Sequence, residues 1–186
     1  EGFADLRPLF PGKKYIGADI RIGPGVDIVL DLHAIDLEDA SAGTVLILET
    51  LEHVEYARKA IEESYRILKP SGILIISSVM NFGIHDYPSD YWRFTPEGFR
   101  SLLKPFQTVI VDFAGDPLFP HTIVGVGIKG FLPENSLNSL VNRIKSWKSA
   151  EDQIHHPFRK RLKPFIPPFL LPTLIKLYKF FWRLFH

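Results

Sequence analysis

The chain of 186 residues contains no cysteine and a single methionine. Without cysteine, neither disulfide bonds nor cysteine-ligated metal can stabilise the fold, which favours a reducing compartment. The first five residues lack the basic and apolar segments of a secretion signal. The last apolar stretch, residues 174–185, has about a dozen residues and three positive charges, too short and too polar to span a bilayer. We therefore expect a cytoplasmic protein rather than an integral membrane protein.

Charge is distributed unevenly along the chain. Residues 131–186 contain ten Lys or Arg and three Asp or Glu, a formal charge of +7, whereas residues 1–130 carry −6. Hydrophobic residues make up 46% of the sequence, enough for a substantial core. The length fits one ordinary domain with an appendage. We therefore expect an α/β domain over residues 1–130 and a basic, aromatic, helical tail over residues 131–186.

Residues 45–78 predict a strand–helix–strand crossover. The apolar runs at residues 45–48 and 73–76 do not alternate with polar residues, which is typical of parallel strands buried on both faces. Apolar residues between them recur at helical spacing: Ala57, Ala60, Ile61, Tyr65 and Leu68. Pro70 and Gly72 are expected to end the helix, because proline cannot continue it and glycine tolerates a left-handed exit. This crossover is the repeating unit of a doubly wound sheet.

Other apolar runs predict the remaining strands: residues 15–20, 26–31, 108–113 and 122–129. The first two of these strands end in Asp19 and Asp31, and the last two are expected to pair antiparallel at an edge of the sheet. Residues 81–96 form a long polar and aromatic loop, and loops of this length in compact domains are usually functional. Thr95 is expected to cap the helix that follows.

Two segments bracket the crossover and together resemble a known family. Leu51-Glu52-His53-Val54 follows the first strand, and Arg66-Ile67-Leu68-Lys69-Pro70-Ser71-Gly72 precedes the second. The pair is similar to class I S-adenosylmethionine-dependent methyltransferases, of the methyltransferase type 11-like kind. The resemblance covers roughly residues 13–130. It implies a Rossmann-like, doubly wound, mostly parallel sheet with an antiparallel edge, and S-adenosylmethionine as the cofactor.

The chain departs from this family at its beginning. Nothing before Tyr15 matches the strand and Gly-x-Gly loop with which these enzymes start, so the resemblance implies a chain that lacks this strand. The absent strand would lie between those that end at Asp19 and Leu48. The sheet would then close up, leave a gap or borrow a strand. Because exposed strand edges can pair with another chain, we also expect a homodimer.

Cofactor contacts are expected at the carboxyl ends of strands, where open α/β sheets bind ligands. The Asp19 carboxylate can accept hydrogen bonds from both hydroxyls of a ribose. The resemblance assigns Asp19 to the ribose, the segment from Asp31 to the adenine and the segment from Glu49 to the methionine end. The expected cofactor-binding residues are Asp19, Ile20, Asp31, Leu32, His33 and Glu49. Alternatively, Asp19 is an ordinary exposed strand end and Asp31 a cap or turn residue.

The acceptor is expected to meet the segment around His53 and the loop from His85 to Arg93. Histidine titrates near neutral pH, so His53 and His85 are the candidate catalytic bases, with Asp86 orienting His85. Aromatic faces stack on sugars, and a guanidinium holds anionic groups. The expected substrate-binding residues are Glu52, Asp86, Tyr91, Trp92 and Arg93. No cluster of metal ligands is apparent, so we expect no metal.

Structural roles for the same residues remain open. Glu52 and His53 also suit a helix cap, because methyl transfer depends mainly on the alignment of nucleophile, methyl group and sulfur. In the loop, Trp92 and Phe94 would pack onto the core and Arg93 would pair with Asp90. The pattern His-x-x-Pro-x-Asp-Tyr-Trp-Arg-Phe-Thr recurs among bacterial members of the resembling family linked to cell-surface glycan synthesis.

The sequence therefore predicts methyl transfer to oxygen or nitrogen of a small or glycan-like acceptor. The alternative is a non-catalytic, methyltransferase-like scaffold at a membrane, which the missing glycine loop favours. In the tail, residues 137–147 predict an amphipathic helix and residues 155–172 an extended linker. Residues 165–186 interleave basic and aromatic side chains, which suits an anionic membrane surface on the inner face better than nucleic acid. Packing of this last segment onto the core is the other interpretation.

Overall fold

The computed structural model describes residues 5–155 of the chain. Within this range the elements are β1 (Ala18–Asp19), β2 (Ile28–Val29), β3 (Ala42–Leu48), α1 (Ala57–Ile67), β4 (Leu68–Val79), α2 (Pro96–Leu102), β5 (Thr108–Asp116), β6 (Phe119–Ile128) and α3 (Glu134–His155). Short 3-10 helices cover Arg7–Leu9 and Leu51–His53. All the strands predicted from apolar runs are present. Thr95 caps α2, as expected, because its Oγ1 accepts a hydrogen bond from the Gly98 amide at 3.0 Å.

The described strands form two sheets. β1 and β2 pair in parallel, and the second sheet has the order β3–β4–β6–β5. β3 and β4 are parallel, whereas β6 runs antiparallel to both β4 and β5. The Rossmann-like α/β fold and the antiparallel edge are confirmed. Within residues 5–155 the two sheets share no strand pairing, and β1, β2, β3 and β5 each have one strand neighbour.

Helices cover both faces of the larger sheet, which is what doubly wound means. On one face, Ile61 of α1 and Phe99 of α2 pack against Leu74 and Ile76 of β4, and all four side chains are fully buried. On the other face, α3 packs against β6 through Ile144. Each fully buried aliphatic or aromatic side chain contributes roughly 1.5–3 kcal/mol through removal of apolar surface from water. This two-sided burial explains why β4 reads as a continuous apolar run.

The junction between α1 and β4 differs from the prediction. The helix ends at Ile67, before Pro70 and Gly72, and β4 follows directly. The left-handed residue is Ser71, with φ of 61°, and not Gly72. A Cβ on Gly72 would lie 2.7 Å from the carbonyl oxygen of Lys69, so glycine is needed there for close approach of the backbone. Pro70 and Gly72 therefore lie in the first residues of β4, after the helix has ended.

The first part of the predicted tail lies against the sheet. The expected apolar face of α3 is confirmed by packing onto the sheet through Leu137, Leu140, Ile144 and Trp147. Lys148 Nζ also donates to Asp112 Oδ1 of β5 at 2.5 Å, and Asp152 accepts from the Gly115 amide at 2.8 Å. Almost all of the predicted linker and the whole of residues 165–186 lie outside the described residues. Among the helices of residues 5–155, none has the length and apolar character needed to cross a membrane.

Candidate functional site

Asp19 and Asp31 lie at the same edge of the small sheet. The parallel register pairs Asp19 with Val29, and the Leu30 amide donates to the Asp19 carbonyl at 2.9 Å. Asp31 follows immediately. The two acids thus stand at neighbouring carboxyl ends, the position from which open α/β sheets contact ligands.

Local hydrogen bonds occupy both carboxylates. Asp19 Oδ1 accepts from the Arg21 amide at 2.8 Å. Asp31 Oδ1 accepts a hydrogen bond from the His33 amide at 2.8 Å and lies 2.7 Å from His33 Nδ1. The hydrogen bond from the His33 amide is the main reason that the pKa of the Asp31 carboxyl falls below its usual value. Asp31 is therefore a turn residue, as in the alternative interpretation of the sequence. A cofactor here would have to bind the lone pairs of the Asp31 carboxylate that are not already hydrogen-bonded. Ile20 is 67% exposed beside Asp19.

His33 connects the two sheets at this edge. Its Nε2 accepts a hydrogen bond from the Tyr56 amide at 3.2 Å, and the two rings meet edge to face at 5.6 Å. Tyr56 immediately precedes α1. The loops that follow β2 and β3 are therefore in contact, although their strands do not pair.

Glu49 stands at the end of β3, in left-handed backbone with φ of 46°. Its Oε1 accepts a hydrogen bond from Ser77 Oγ at 2.7 Å. The residue keeps substantial exposed surface, but neighbouring protein atoms desolvate its carboxyl group. This desolvation raises the pKa of Glu49; the Ser77 hydrogen bond opposes the shift, and the nearby Glu52 charge adds to it.

Glu52, His53 and His85, each expected only as an acceptor-site residue, form a cluster of potential metal ligands. One potential ligand atom from each residue lies within 4.8 Å of the other two. The rings of His53 and His85 meet edge to face with centroids 4.7 Å apart. Glu52 is 1% exposed, and its Oε2 atom has no hydrogen-bond partner among the described residues. The expectation that no ligand cluster exists therefore missed this group, because His85 arrives from a loop far along the chain.

Backbone hydrogen bonds bring the loop onto this cluster. The amides of Tyr91 and Trp92 donate to the Glu52 carbonyl at 2.8 and 3.2 Å. Trp92 Nε1 donates to the Val54 carbonyl at 3.0 Å. His53 Nδ1 lies 2.7 Å from the Ser89 carbonyl oxygen. Residues 52–53 and the loop 85–93 are thus in contact, as expected for two segments that border the same region.

Arg93 and Asp90 form a two-pronged ion pair inside the loop. Arg93 Nη1 and Nη2 donate to the two Asp90 oxygens at 2.6 and 2.8 Å. These bonds hold the pKa of the Asp90 carboxyl well below its usual range. Asp90 also accepts from the His85 amide at 2.8 Å. The carboxylate beside His85 is therefore that of Asp90 and not, as expected, that of Asp86, which lies exposed in left-handed backbone with φ of 51°.

Aromatic faces remain open on the outside of the loop. Tyr91 and Trp92 are each 45% exposed. A shallow depression of about 590 Å³ runs beside Trp92, between the start of α1 and α2, and its wall includes Tyr56, Phe94 and Leu102. The loop thus combines packing with accessible aromatic surface, so both interpretations of Trp92 hold in part.

Residues 13–76 match the family model described as a methyltransferase domain. None of the curated proteins compared with the chain matches it. The family match confirms the resemblance to class I methyltransferases over the segment from β1 to β4, which includes Asp19, Asp31, Glu49 and Glu52.

Three of the solved structures that resemble this chain are described as methyltransferases. A SAM-dependent methyltransferase from Archaeoglobus fulgidus is 17% identical, with a TM-score of 0.50 over 61% of this chain and 75% of that one. An N1-methyltransferase from Burkholderia thailandensis, with bound 1,6-didemethyltoxoflavin and S-adenosylhomocysteine, is 18% identical, with a TM-score of 0.50 over 61% of this chain and 60% of that one. A SAM-dependent methyltransferase from Thermotoga maritima is 21% identical, with a TM-score of 0.48 over 56% of this chain. The chain spans 65% of the Thermotoga protein's length. At these identities the likeness shows the fold.

Proposed function

We propose that this chain acts as an S-adenosylmethionine-dependent methyltransferase on oxygen or nitrogen of a small or glycan-like acceptor. The observation that carries the proposal is the methyltransferase-domain match over residues 13–76, which spans the strand ends where Asp19, Asp31 and Glu49 stand. The Burkholderia relative, by its title, holds a small ring compound together with S-adenosylhomocysteine. Its fold supports an acceptor of similar size here.

The strand-end acids fit a nucleoside ligand. Asp19 would bind the ribose hydroxyls, Asp31 and His33 would border the adenine together with Ile20 and Leu32, and Glu49 would face the methionine end. Two features support this assignment: carboxylates at adjacent parallel strand ends, and the His33–Tyr56 hydrogen bond that joins the two halves of the edge. When bound, the cofactor supplies an electrophilic methyl group on a sulfonium. The protein's part is to align the acceptor with that methyl group.

The acceptor would lie against the loop. The exposed faces of Tyr91 and Trp92 suit stacking on a sugar or another ring, and Asp86 would supply a polar contact. Glu52, expected from the sequence to bind the acceptor, is 1% exposed and would not reach it directly. His53 or His85 would take the proton of a hydroxyl acceptor. Arg93 already pairs with Asp90, so its contribution is to hold the loop in shape and to present positive charge at its surface. The match of this loop to a pattern linked with cell-surface glycans supports a role in cell-envelope synthesis.

The basic tail suggests where the protein works. Residues 131–186 carry a formal charge of +7 and many aromatic side chains, which supports contact of residues 165–186 with an anionic membrane surface on the cytoplasmic side. Deletion of residues 165–186 is expected to move the protein from membrane to soluble fractions. An unchanged distribution would contradict the membrane contact. The unpaired edges of β1 and β3 support a homodimer, which light scattering would detect.

One observation favours the alternative of a non-catalytic scaffold. Within residues 5–155, the pair β1–β2 and the sheet that contains β3 share no strand pairing, so the strand-end edge is not continuous. A scaffold of this kind would keep the fold and the tail but would bind no S-adenosylhomocysteine.

Calorimetric titration of S-adenosylhomocysteine into the full chain distinguishes the two. We expect micromolar binding that Asp19→Ala abolishes and Asp36→Ala preserves, since Asp36 is an exposed acid away from the strand ends. Absence of binding by the folded wild-type chain would reject the cofactor site and favour the scaffold. Equal binding by both variants would reject the role of Asp19.

A further inference from the structure

The Glu52 carboxylate is buried in an unusual state. The residue is 1% exposed, and Oε2 has no hydrogen-bond donor among the described residues. A buried carboxylate oxygen without a partner is unfavourable, because it has lost its water without gaining a donor or cation. Native structures tolerate such groups mainly where function requires them.

The nearest large cation does not satisfy Glu52. The Arg93 guanidinium directs its N–H groups at the Asp90 carboxylate and at the carbonyls of Phe82, Gly83 and Trp92. Its hydrogen bonds are therefore committed inside the loop. Glu49, the other nearby acid, is an acceptor and is already bonded to Ser77.

The two neighbouring imidazoles are held in one tautomer. His53 Nδ1 lies 2.7 Å from the Ser89 carbonyl oxygen, and His85 Nδ1 lies 3.1 Å from the Gly83 carbonyl oxygen. A backbone carbonyl can only accept, so each Nδ1 carries the proton in the neutral ring. Each Nε2 then keeps a free lone pair. A backbone carbonyl on the far nitrogen is the usual support of a metal-binding histidine.

We propose that Glu52, His53 and His85 bind one divalent first-row transition cation, for which Zn²⁺ is the reference ion. Two imidazoles and a carboxylate favour such ions over Mg²⁺ or Ca²⁺, which prefer oxygen ligands. One potential ligand atom of each residue lies within 4.8 Å of the other two. Ligands of a tetrahedral Zn²⁺ ion stand about 3.3 Å apart, so the side chains have to rotate toward one another for the two Nε2 atoms and the carboxylate to meet at the ion.

The fold positions the three ligands, of which Glu52 is buried and the two histidines are half-buried. Backbone hydrogen bonds from Tyr91 and Trp92 fix the loop on the Glu52 carbonyl, so His85 is positioned by the fold rather than by the ion. Three protein ligands leave at least one coordination position open. If the proposed function holds, that position takes an acceptor oxygen and favours its deprotonation. The binding of the ion itself does not depend on the proposed function.

The test is calorimetric titration of Zn²⁺ alone into the full chain after removal of metal with a chelator. We expect one site per chain, and Glu52→Gln and His85→Ala each to weaken it by at least about tenfold. The matched control is His121→Ala, a histidine outside the cluster, which is expected to keep wild-type affinity. This control matters because the chain has seven histidines, any of which can bind Zn²⁺ weakly. Substitution of Co²⁺ gives a visible absorption band as a second readout.

Melting curves separate loss of a ligand from loss of the fold. Without metal, Glu52→Gln is expected to melt no lower than wild type, because it removes the charge from a buried carboxylate whose Oε2 atom has no hydrogen-bond partner among the described residues. With Zn²⁺, the wild type is expected to gain melting temperature and Glu52→Gln is not. The absence of stoichiometric Zn²⁺ binding by the wild type would overturn the proposal. Wild-type Zn²⁺ affinity in both Glu52→Gln and His85→Ala would also overturn it. Binding of S-adenosylhomocysteine without Zn²⁺ binding would reject the metal site alone, and the reverse result would reject the proposed cofactor site alone.

Discussion

The Lys129 ammonium lies at the C-terminal end of α1, with its Nζ atom 2.7 Å from the Tyr65 carbonyl oxygen. It also donates to the Leu68 carbonyl at 2.8 Å and lies 4.6 Å from the centre of the Tyr65 ring. The last carbonyls of a helix have no partner within the helix and carry partial negative charge. A lysine from the end of β6 therefore caps the helix that precedes β4.

Replacement of this lysine tests the cap. Lys129→Met keeps the aliphatic part of the side chain but removes the charge and the donors. We expect a loss of about 1–2 kcal/mol in the free energy of unfolding, measured with urea. Lys104→Met, at an exposed position, is the control and is expected to change stability little. Equal effects of the two substitutions would show that the cap does not stabilise the fold.

Gly127 of β6 makes room for Phe106. A Cβ at Gly127 would lie 2.5 Å from the Phe106 ring. Gly127→Ala is therefore expected to lower the free energy of unfolding by about 1–3 kcal/mol, the usual cost of overpacking a core. The control is Gly43→Ala, where a Cβ meets nothing within 4 Å. If Phe106→Leu fails to reduce the effect of Gly127→Ala in the double variant, the clash is not its cause.

The Asp90–Arg93 pair holds the loop that carries His85. Asp90→Asn removes one charge of the pair and weakens the acceptor for the His85 amide. We expect faster cleavage within residues 81–95 by limited proteolysis, mapped by mass spectrometry. Asp86→Asn, an exposed acid in the same loop, is expected to leave the cleavage rate unchanged. Protection that survives Asp90→Asn would mean that the backbone bonds to Glu52 suffice to hold the loop.

The Glu63–Arg66 ion pair makes stability depend on pH. Hydrogen bonds from Arg66 at 2.8 and 3.0 Å lower the pKa of Glu63 below its ordinary value. A carboxyl group whose pKa is lower in the folded state stabilises the fold above its ordinary pKa, and this contribution disappears as the pH falls through the folded value. Unfolding with urea at several pH values is therefore expected to show Glu63→Gln less stable than wild type near neutral pH. The difference should shrink in acid.

The neighbouring exposed acid gives the control for this pH dependence. Glu62→Gln is expected to follow the wild-type stability curve at every pH. A constant difference between Glu63→Gln and wild type across the acid range would indicate lost packing rather than lost charge.

The fold was largely predictable because burial leaves a local signal. Strand β4 is covered on both faces, so its sequence is a continuous apolar run, and the face of α1 shows helical spacing. The end of α1 was not predictable from Pro70 and Gly72. The chain turns there through the left-handed Ser71 and the Lys129 cap, and neither appears in a local pattern.

The site was predictable only in its parts. Strand-end acids follow from where the apolar runs stop, so Asp19, Asp31 and Glu49 were found. The approach of His85 to Glu52 depends on how a loop of irregular backbone returns to a 3-10 helix. The loop is held against the 3-10 helix by hydrogen bonds from the main-chain amides of Tyr91 and Trp92. Any residue but proline can supply such an amide. The sequence therefore carries no specific signal for this cluster.

Among the described residues the β1–β2 pair and the larger sheet share no strand pairing, so the two halves of the strand-end edge differ in local stability. The two-residue strands β1 and β2 have a short ladder of their own, whereas β3 joins a four-stranded sheet with helices on both faces. Amide hydrogens of β1 and β2 should exchange with solvent well before those of β4 and β6. For a nucleoside that contacts both halves, ordering of the β1–β2 half would then reduce the observed binding free energy. Its affinity would report on local folding as well as on contacts.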